Sequence, residues 1–256
     1  MTPHKEGVSG SLKEAHRLHI EQIKLLYAQA PAGLLATSVN SLVLTLVLWR
    51  VTSDWKLILW LGLVLLIVWL RYRLVKAYRK HNLEDAHLDR WARFFLAGLA
   101  VSGSFMGSAG IFLFPYESLT HVVFLAFLLG GMVAGATGTY SVMMRAFLIY
   151  TLPIITPLTI QLLRQGSKIE VAIGGFLVIF YAIMMNTAYY VHKTTLRSLR
   201  LRFENSELVA DLMASKSASE QAIETLQHEI SERKNAERAL RESEQLFRML
   251  IETMND

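Results

Sequence analysis

Six stretches of this chain run through apolar residues without an Asp, Glu, Lys or Arg, and they leave few folds open. A helix needs about 20 such residues to cross the hydrocarbon core of a bilayer. Lipid offers the backbone no hydrogen-bond partner, so a spanning segment is a helix or a strand of a closed barrel. These runs are continuously apolar and show no alternation, which selects helices. The first lies between Lys24 and Arg50, the third between Arg93 and Glu117, the fourth between Glu117 and Arg145, and the sixth between Glu170 and Lys193. The fifth, at 146–163, is just long enough, and Pro153 and Pro157 inside it predict a kink or hinge. The second has 14 uncharged residues, 57–70, and reaches spanning length if Lys56 and Arg71 snorkel from its two ends. The expected fold class is an all-α membrane protein with six transmembrane helices, followed by a cytoplasmic, dimeric coiled-coil helix.

Charge is scarce and unevenly placed. Charged residues make up 18% of the 256, against roughly a quarter in soluble proteins, and most lie in the first 30 residues, in 71–93 or after residue 192. Connections 1–30, 71–93, residue 145 and 193–202 carry 16 Lys and Arg, against 4 in 50–56, 115–120 and 164–170. The richer side is expected to be cytoplasmic, which puts both termini there. The short connections opposite leave no room for an external binding domain, so a stimulus must arrive through the bilayer or its rim. The net charge of +5 sits beside apolar segments and suits lipid headgroups rather than nucleic acid. With no cysteine, disulfides and thiolate metal sites are excluded. The basic N-terminus has no early apolar core, so a removable signal peptide is not expected.

Past His192 the pattern becomes that of a coiled coil. Leu201, Leu208 and Leu212 share one seam with Asn205, and Ile223, Leu226, Ile230, Leu240, Phe247 and Ile251 share another, at steps of three and four. Both seams suit a parallel homodimer. They are out of frame with each other, and the break falls in MASKSASEQA, 213–222, a stutter-type discontinuity. A loose linker is the competing reading of that segment.

The run ISERKNAERALRESEQLFRMLIETMND, 230–256, resembles the linker helix and first helical residues of a PAS domain in bacterial signalling proteins. Ser231 to Lys234, Ala236 and Glu237, Ala239 to Glu244, and Phe247 with Arg248 carry the likeness. Upstream, residues 138–163 and LRSLRLRFENSELVADL, 196–212, are similar to the six-span sensor region found ahead of PAS, histidine kinase or diguanylate cyclase domains. The resemblance implies an N-terminal amphipathic helix at 1–28, a six-span sensor at 29–192, a signalling helix at 193–241 and the start of a truncated PAS domain at 242–256. It also implies a bacterial inner membrane location, no catalysis in this segment, and a downstream output acting on a response regulator, with a histidine kinase favoured over a diguanylate cyclase or phosphodiesterase.

Polar side chains inside the spans are the candidate ligand contacts, because they face the bundle interior when they have a role. Asn40, Tyr140, Asn186, Tyr189, Gln161 and His121 are the residues that would meet the polar head of a lipophilic small molecule or membrane lipid. Gly103 with Gly107, and Gly131 with Gly135, stand four apart among small neighbours and are expected to pack helices closely. No cofactor or metal is expected. His16 and His19 share a helix face, and His81 and His87 lie on the same side, but no third ligand is fixed. His121 and His192 belong at opposite ends of the bundle and cannot share a haem iron. The pair His228-Glu229 lacks the following proline of a phosphoacceptor motif and reads as solvated helix surface. A transporter would show inverted repeats and broken or charged helices at the midplane, and these spans show neither. A receptor input module and a passive dimeric anchor both remain open at this point.

Overall fold

The computed structural model describes residues 4–80 and 88–255, with side-chain surroundings from residue 15 to residue 243. His81 and His87 fall outside the described residues. Six helices follow one another: α1 His4–Leu48, α2 Asp54–Lys80, α3 Leu88–Phe112, α4 Leu119–Tyr140, α5 Met144–Gln165 and α6 Lys168–Asn255. Each contains a stretch long and apolar enough to cross a membrane, as in a multi-pass membrane protein. Short connections make successive helices antiparallel. One end of the bundle therefore gathers the arginine-rich close of α2, the 141–143 turn and the exit of α6, and is called the basic end below. The far end holds 49–53, 113–118 and the Gly166–Ser167 turn, where Gly166 closes α5 in the left-handed conformation at φ 76°.

The N-terminal segment does not stand apart as a separate amphipathic helix at 1–28. Residues 4–48 form one helix through Pro31, and Ile20, Ile23, Leu26, Tyr27 and Ala30 are buried in the common core. Lys24 is exposed and pairs with Glu21 at 2.8 Å.

The chain divides into two units, Met1–Arg200 and Leu201–Asp256. In the first, the closest pairing is α3 with α5. A methyl group built on Gly103 would strike the Tyr150 carbonyl, one on Gly107 the Pro153 carbonyl, and one on Gly110 the backbone of Leu158. The Pro153 carbonyl has no helical donor, because residue 157, which would supply one, is proline. Gly107 brings its Cα hydrogens against that carbonyl, a contact that recurs at close helix interfaces. The helix is unbroken across both prolines. Gly131 and Gly135 do not share this role: both are exposed, with open space where a methyl would go. The spacing is the same as in α3, but these two glycines face away from every neighbouring helix.

Within the first unit α6 is held differently. Its apolar residues Phe176, Val178, Ile179 and Ile183 are exposed, while Leu177, Ala188 and Leu199 are buried. Side chains make the attachment: Tyr181 Oη to Thr151 Oγ1 at 3.2 Å, Thr137 Oγ1 to Met184 Sδ at 3.9 Å, and His192 to the 141–142 turn. The second unit is helical, with its leucines and isoleucines exposed.

Candidate functional site

The sequence-predicted ligand residues do not converge. Gln161 donates to Tyr116 Oη at 2.9 Å, and His121 Nδ1 lies 2.6 Å from Ser118 Oγ, both at the far end. Asn186 and Tyr189 are exposed on α6, and Asn40 is half-buried on α1. Only Tyr140, at the basic end, is fully buried, and its hydroxyl has no partner. It presses against Gly33 and stacks edge-on to Tyr150, 4.9 Å between centroids. Ser38, Ser41 and Thr45 of α1 spend their hydroxyls on their own helix carbonyls. His16 is one of a pair that the structure does not assemble into a metal site: among the described residues no three His, Asp or Glu side chains come together. His19 instead meets Asp89 at 3.6 Å on the surface.

The structure points to a residue that the sequence places at a span end. Arg71, expected to snorkel outward, is 5% exposed and turned into the interface of α2 with α3. Gly98 makes room for it, since a methyl there would lie 3.3 Å from Arg71 Cγ. The guanidinium donates from Nη1 to Ser102 Oγ at 3.1 Å and lies 5.7 Å from the centre of the Phe95 ring. Its Nη2 is buried without a partner. An uncompensated buried charge costs several kcal/mol, and a cationic side chain facing a bundle interior marks a site by default. The sequence signal lay in α3: Gly98 and Ser102 are four apart, one making space and the other presenting a hydroxyl, on a helix facing an arginine.

Around Phe95 the basic end is built of aromatic rings. Tyr27 stacks on Tyr78 with centroids 3.7 Å apart, donates to the Trp91 carbonyl at 3.0 Å and lies 4.9 Å from Phe95. Phe95 in turn meets Tyr140 edge-on at 6.4 Å. Arg71 and Tyr140, each with an unpartnered polar atom, thus flank the same ring. Tyr150 Oη reaches Thr37 Oγ1 at 3.3 Å nearby.

Above this layer the interface of α2 with α3 opens into an apolar cleft of about 640 Å³, walled by Trp55, Leu59, Leu63, Phe105 and Phe112, with Lys56 as its one charged residue. Trp60 Nε1 donates to the Phe105 carbonyl at 3.0 Å and lies 3.2 Å from Ser108 Oγ, which donates to the same carbonyl, so the polar atoms of Trp60 and Ser108 are spent within the protein. Small-molecule sites of this size bury most of a ligand's surface in such walls. A shallower cleft of about 570 Å³ continues across α3 to Leu152, Pro153 and Pro157 of α5 and shares Ser104, Ser108 and Phe112 with the first.

The last element of the site is the junction where α6 leaves the bundle. His192 Nδ1 lies 3.0 Å from the carbonyls of both Ser141 and Val142, and Gln22 Nε2 donates to Val142 at 2.8 Å. The break between α4 and α5 frees these carbonyls from helical bonding, and side chains of α1 and α6 take them up. Comparison with protein-family models, with curated proteins and with solved structures returns no match for the chain.

Proposed function

We propose that this chain is the transmembrane input module of a bacterial signalling receptor of the sensor histidine kinase type, in which a lipophilic molecule or a membrane state acts on the bundle and α6 carries the change to a cytoplasmic output. The observation that carries the reading is α6 itself, written as one helix from Lys168 to Asn255 and holding, past residue 200, exposed Leu201, Leu208, Leu212, Ile223, Leu226, Ile230 and Leu240 on an otherwise polar surface. Apolar side chains left exposed along an otherwise polar helix are stabilised by packing on an apolar partner; a parallel second copy supplies one. The basic end faces the cytoplasm on this reading, and the PAS-like run at 231–248 leads to the output. The apolar cleft opening toward lipid supports a hydrophobic stimulus, and the lack of any acidic residue within the six charge-free runs argues against an ion-coupled transporter.

Two experiments test this. Alkaline phosphatase fused after residue 167 is expected to be active and after residue 85 inactive; the reverse pattern removes the cytoplasmic output. In the protein joined to its output domains, filling the cleft by Ser104→Trp is expected to change the signalling level at unchanged abundance. Unaltered output would leave only a membrane anchor.

A further inference from the structure

The clefts on either side of α3 are halves of one trough. They share Ser104, Ser108 and Phe112, a stripe spaced four apart on one side of α3; one cleft lies between that stripe and α2, the other between it and α5. The packing of α3 leaves this ridge low. Gly103, Gly107 and Gly110 draw α5 in until backbones meet, and Trp60 ties α2 to the Phe105 carbonyl, so the small serines between the two contacts have a groove on each side. From Phe112 at the far end to Ser104 is eight residues, about 12 Å of helix, and from Lys56 to Leu63 on α2 is seven, about 10 Å. Both grooves therefore start at the far rim and run side by side toward the middle of the bundle.

The rim carries a cation. Lys56 lines the α2 side of the trough with its ammonium 6.0 Å from the centre of the Trp55 ring, and no described carboxylate pairs with it. A tryptophan and a lysine at a span end stand at headgroup level. Two apolar grooves below a cation at that level match two hydrocarbon chains joined under an anionic head. We propose that the trough binds one anionic diacyl phospholipid, its phosphate at Lys56 and its chains astride the ridge of Ser104, Ser108 and Phe112, one against Leu59 and Leu63 of α2 and the other against Leu152 and Pro157 of α5. A fatty acid has one chain for two grooves, and a choline or ethanolamine lipid brings a cation of its own to the lysine. Trp60 and Ser108 are bonded to one another and to the Phe105 carbonyl, so the walls ask for hydrocarbon. Lipid tails are as apolar as these walls, so burial alone does not retain the molecule; the fit of paired chains and the charge of the head do.

This inference rests on reading the bundle as a sensing module, and the test separates the two. The full chain in detergent micelles is mixed with equal amounts of dioleoyl phosphatidylglycerol, dioleoyl phosphatidylcholine and oleoyl lysophosphatidylglycerol, and the retained lipid is counted by native mass spectrometry. One phosphatidylglycerol per chain is expected, favoured over phosphatidylcholine about fivefold, the worth of one lysine beside an anionic headgroup, and over the one-chain lipid by at least as much. Lys56→Gln is expected to bring the two diacyl lipids to parity. Arg164→Gln, which removes an exposed cation at the same end but outside the trough, is expected to leave the preference intact. Ser104→Trp, which raises the ridge into both grooves, is expected to release both diacyl lipids at an unchanged melting temperature; if it does not fold, Ser104→Leu serves, with a smaller loss. Equal retention of the one-chain and two-chain lipids overturns the proposal, and so does a preference lost as fully in R164Q as in K56Q, which would mean lipid drawn to this end by its charge alone. Displacement by glycerol 3-phosphate as strong as that by phosphatidylglycerol contradicts it too, since the chains would then contribute nothing. Should the lipid bind as described while the complete receptor gives the same output in vesicles with and without phosphatidylglycerol, the sensing role falls and the lipid site stands.

Discussion

The α3–α5 pairing and the attachment of α6 are two ways of holding a helix in an apolar bundle. Between α3 and α5 the backbones themselves meet, at Gly103 with Tyr150, Gly107 with Pro153 and Gly110 with Leu158. Such an interface has one geometry, since any rotation or slide drives side chains into main chain. Between α6 and the rest, the polar ties are ends of side chains: a tyrosine hydroxyl on a threonine, a threonine on a thioether, an imidazole on two carbonyls. Each can be made and remade as α6 turns by a few degrees, and interhelical hydrogen bonds of this kind are worth about 0.6 kcal/mol on average in a membrane. The contrast suits a device in which five helices form the frame and the sixth moves. Two arrangements separated by a few such bonds differ little in free energy, which is what a ligand needs in order to shift their populations.

The comparison can be broken most forcefully at Gly107. Replacing it by Val places carbon atoms where the Pro153 carbonyl lies, and the expected loss is about 3 kcal/mol or more, beyond the usual cost of overpacking because backbone rather than a mobile side chain must yield. Steric-trap unfolding in bicelles reads it; a variant as stable as wild type would mean that α3 and α5 are not locked. His192→Ala is next. It removes the imidazole from the Ser141 and Val142 carbonyls and should cost about 1 kcal/mol in the same assay, but change output in the complete protein more than G107A, a variant of equal or greater destabilisation, does. Tyr181→Phe loses one bond to Thr151 and should cost about 0.6 kcal/mol. The smallest loss belongs to Gly131→Ala, where open space receives the methyl: none is expected, and a gain of about 0.4–1 kcal/mol comes from the removed backbone freedom. A destabilised G131A protein would show that this face packs against something, a second copy being the first suspect.

What was legible in the sequence follows the strength of the physical constraint. The six spans were readable because an uncompensated charge in lipid is expensive, so each charge-free run marks one of the six helices, while α1 begins, and α2 and α6 end, several turns beyond theirs. Gly103 with Gly107 and Gly131 with Gly135 look alike in sequence and differ completely in surroundings, since a small residue permits close approach but does not say which face has a neighbour. Arg71 was misplaced for a related reason. An arginine near a span end usually reaches for the headgroups, and only the juxtaposition of Gly98 and Ser102 on another helix turns it inward. The basic, charged look of residues 13–24 likewise hid Ile20, Ile23 and, just beyond, Tyr27, whose burial depends on the helices packed against α1, Tyr27 lying on Tyr78 of α2 and beside Trp91 and Phe95 of α3. The six polar residues chosen as ligand contacts share membrane depth in no systematic way, and depth along each helix, not polarity, decides which of them can meet.

The central claim is that α6 carries a movement from the bundle into 201–251, with the out-of-frame segment 213–222 as the element that takes two arrangements. Inserting one to seven alanine-rich residues after Ser217, in the protein joined to its output domains, tests it most directly. Seven residues restore both seams to their original faces and should leave signalling near normal, whereas intermediate lengths rotate one seam against the other and should lock the output fully on or fully off. The same output at every insertion length, with the protein present in equal amounts, would contradict the account.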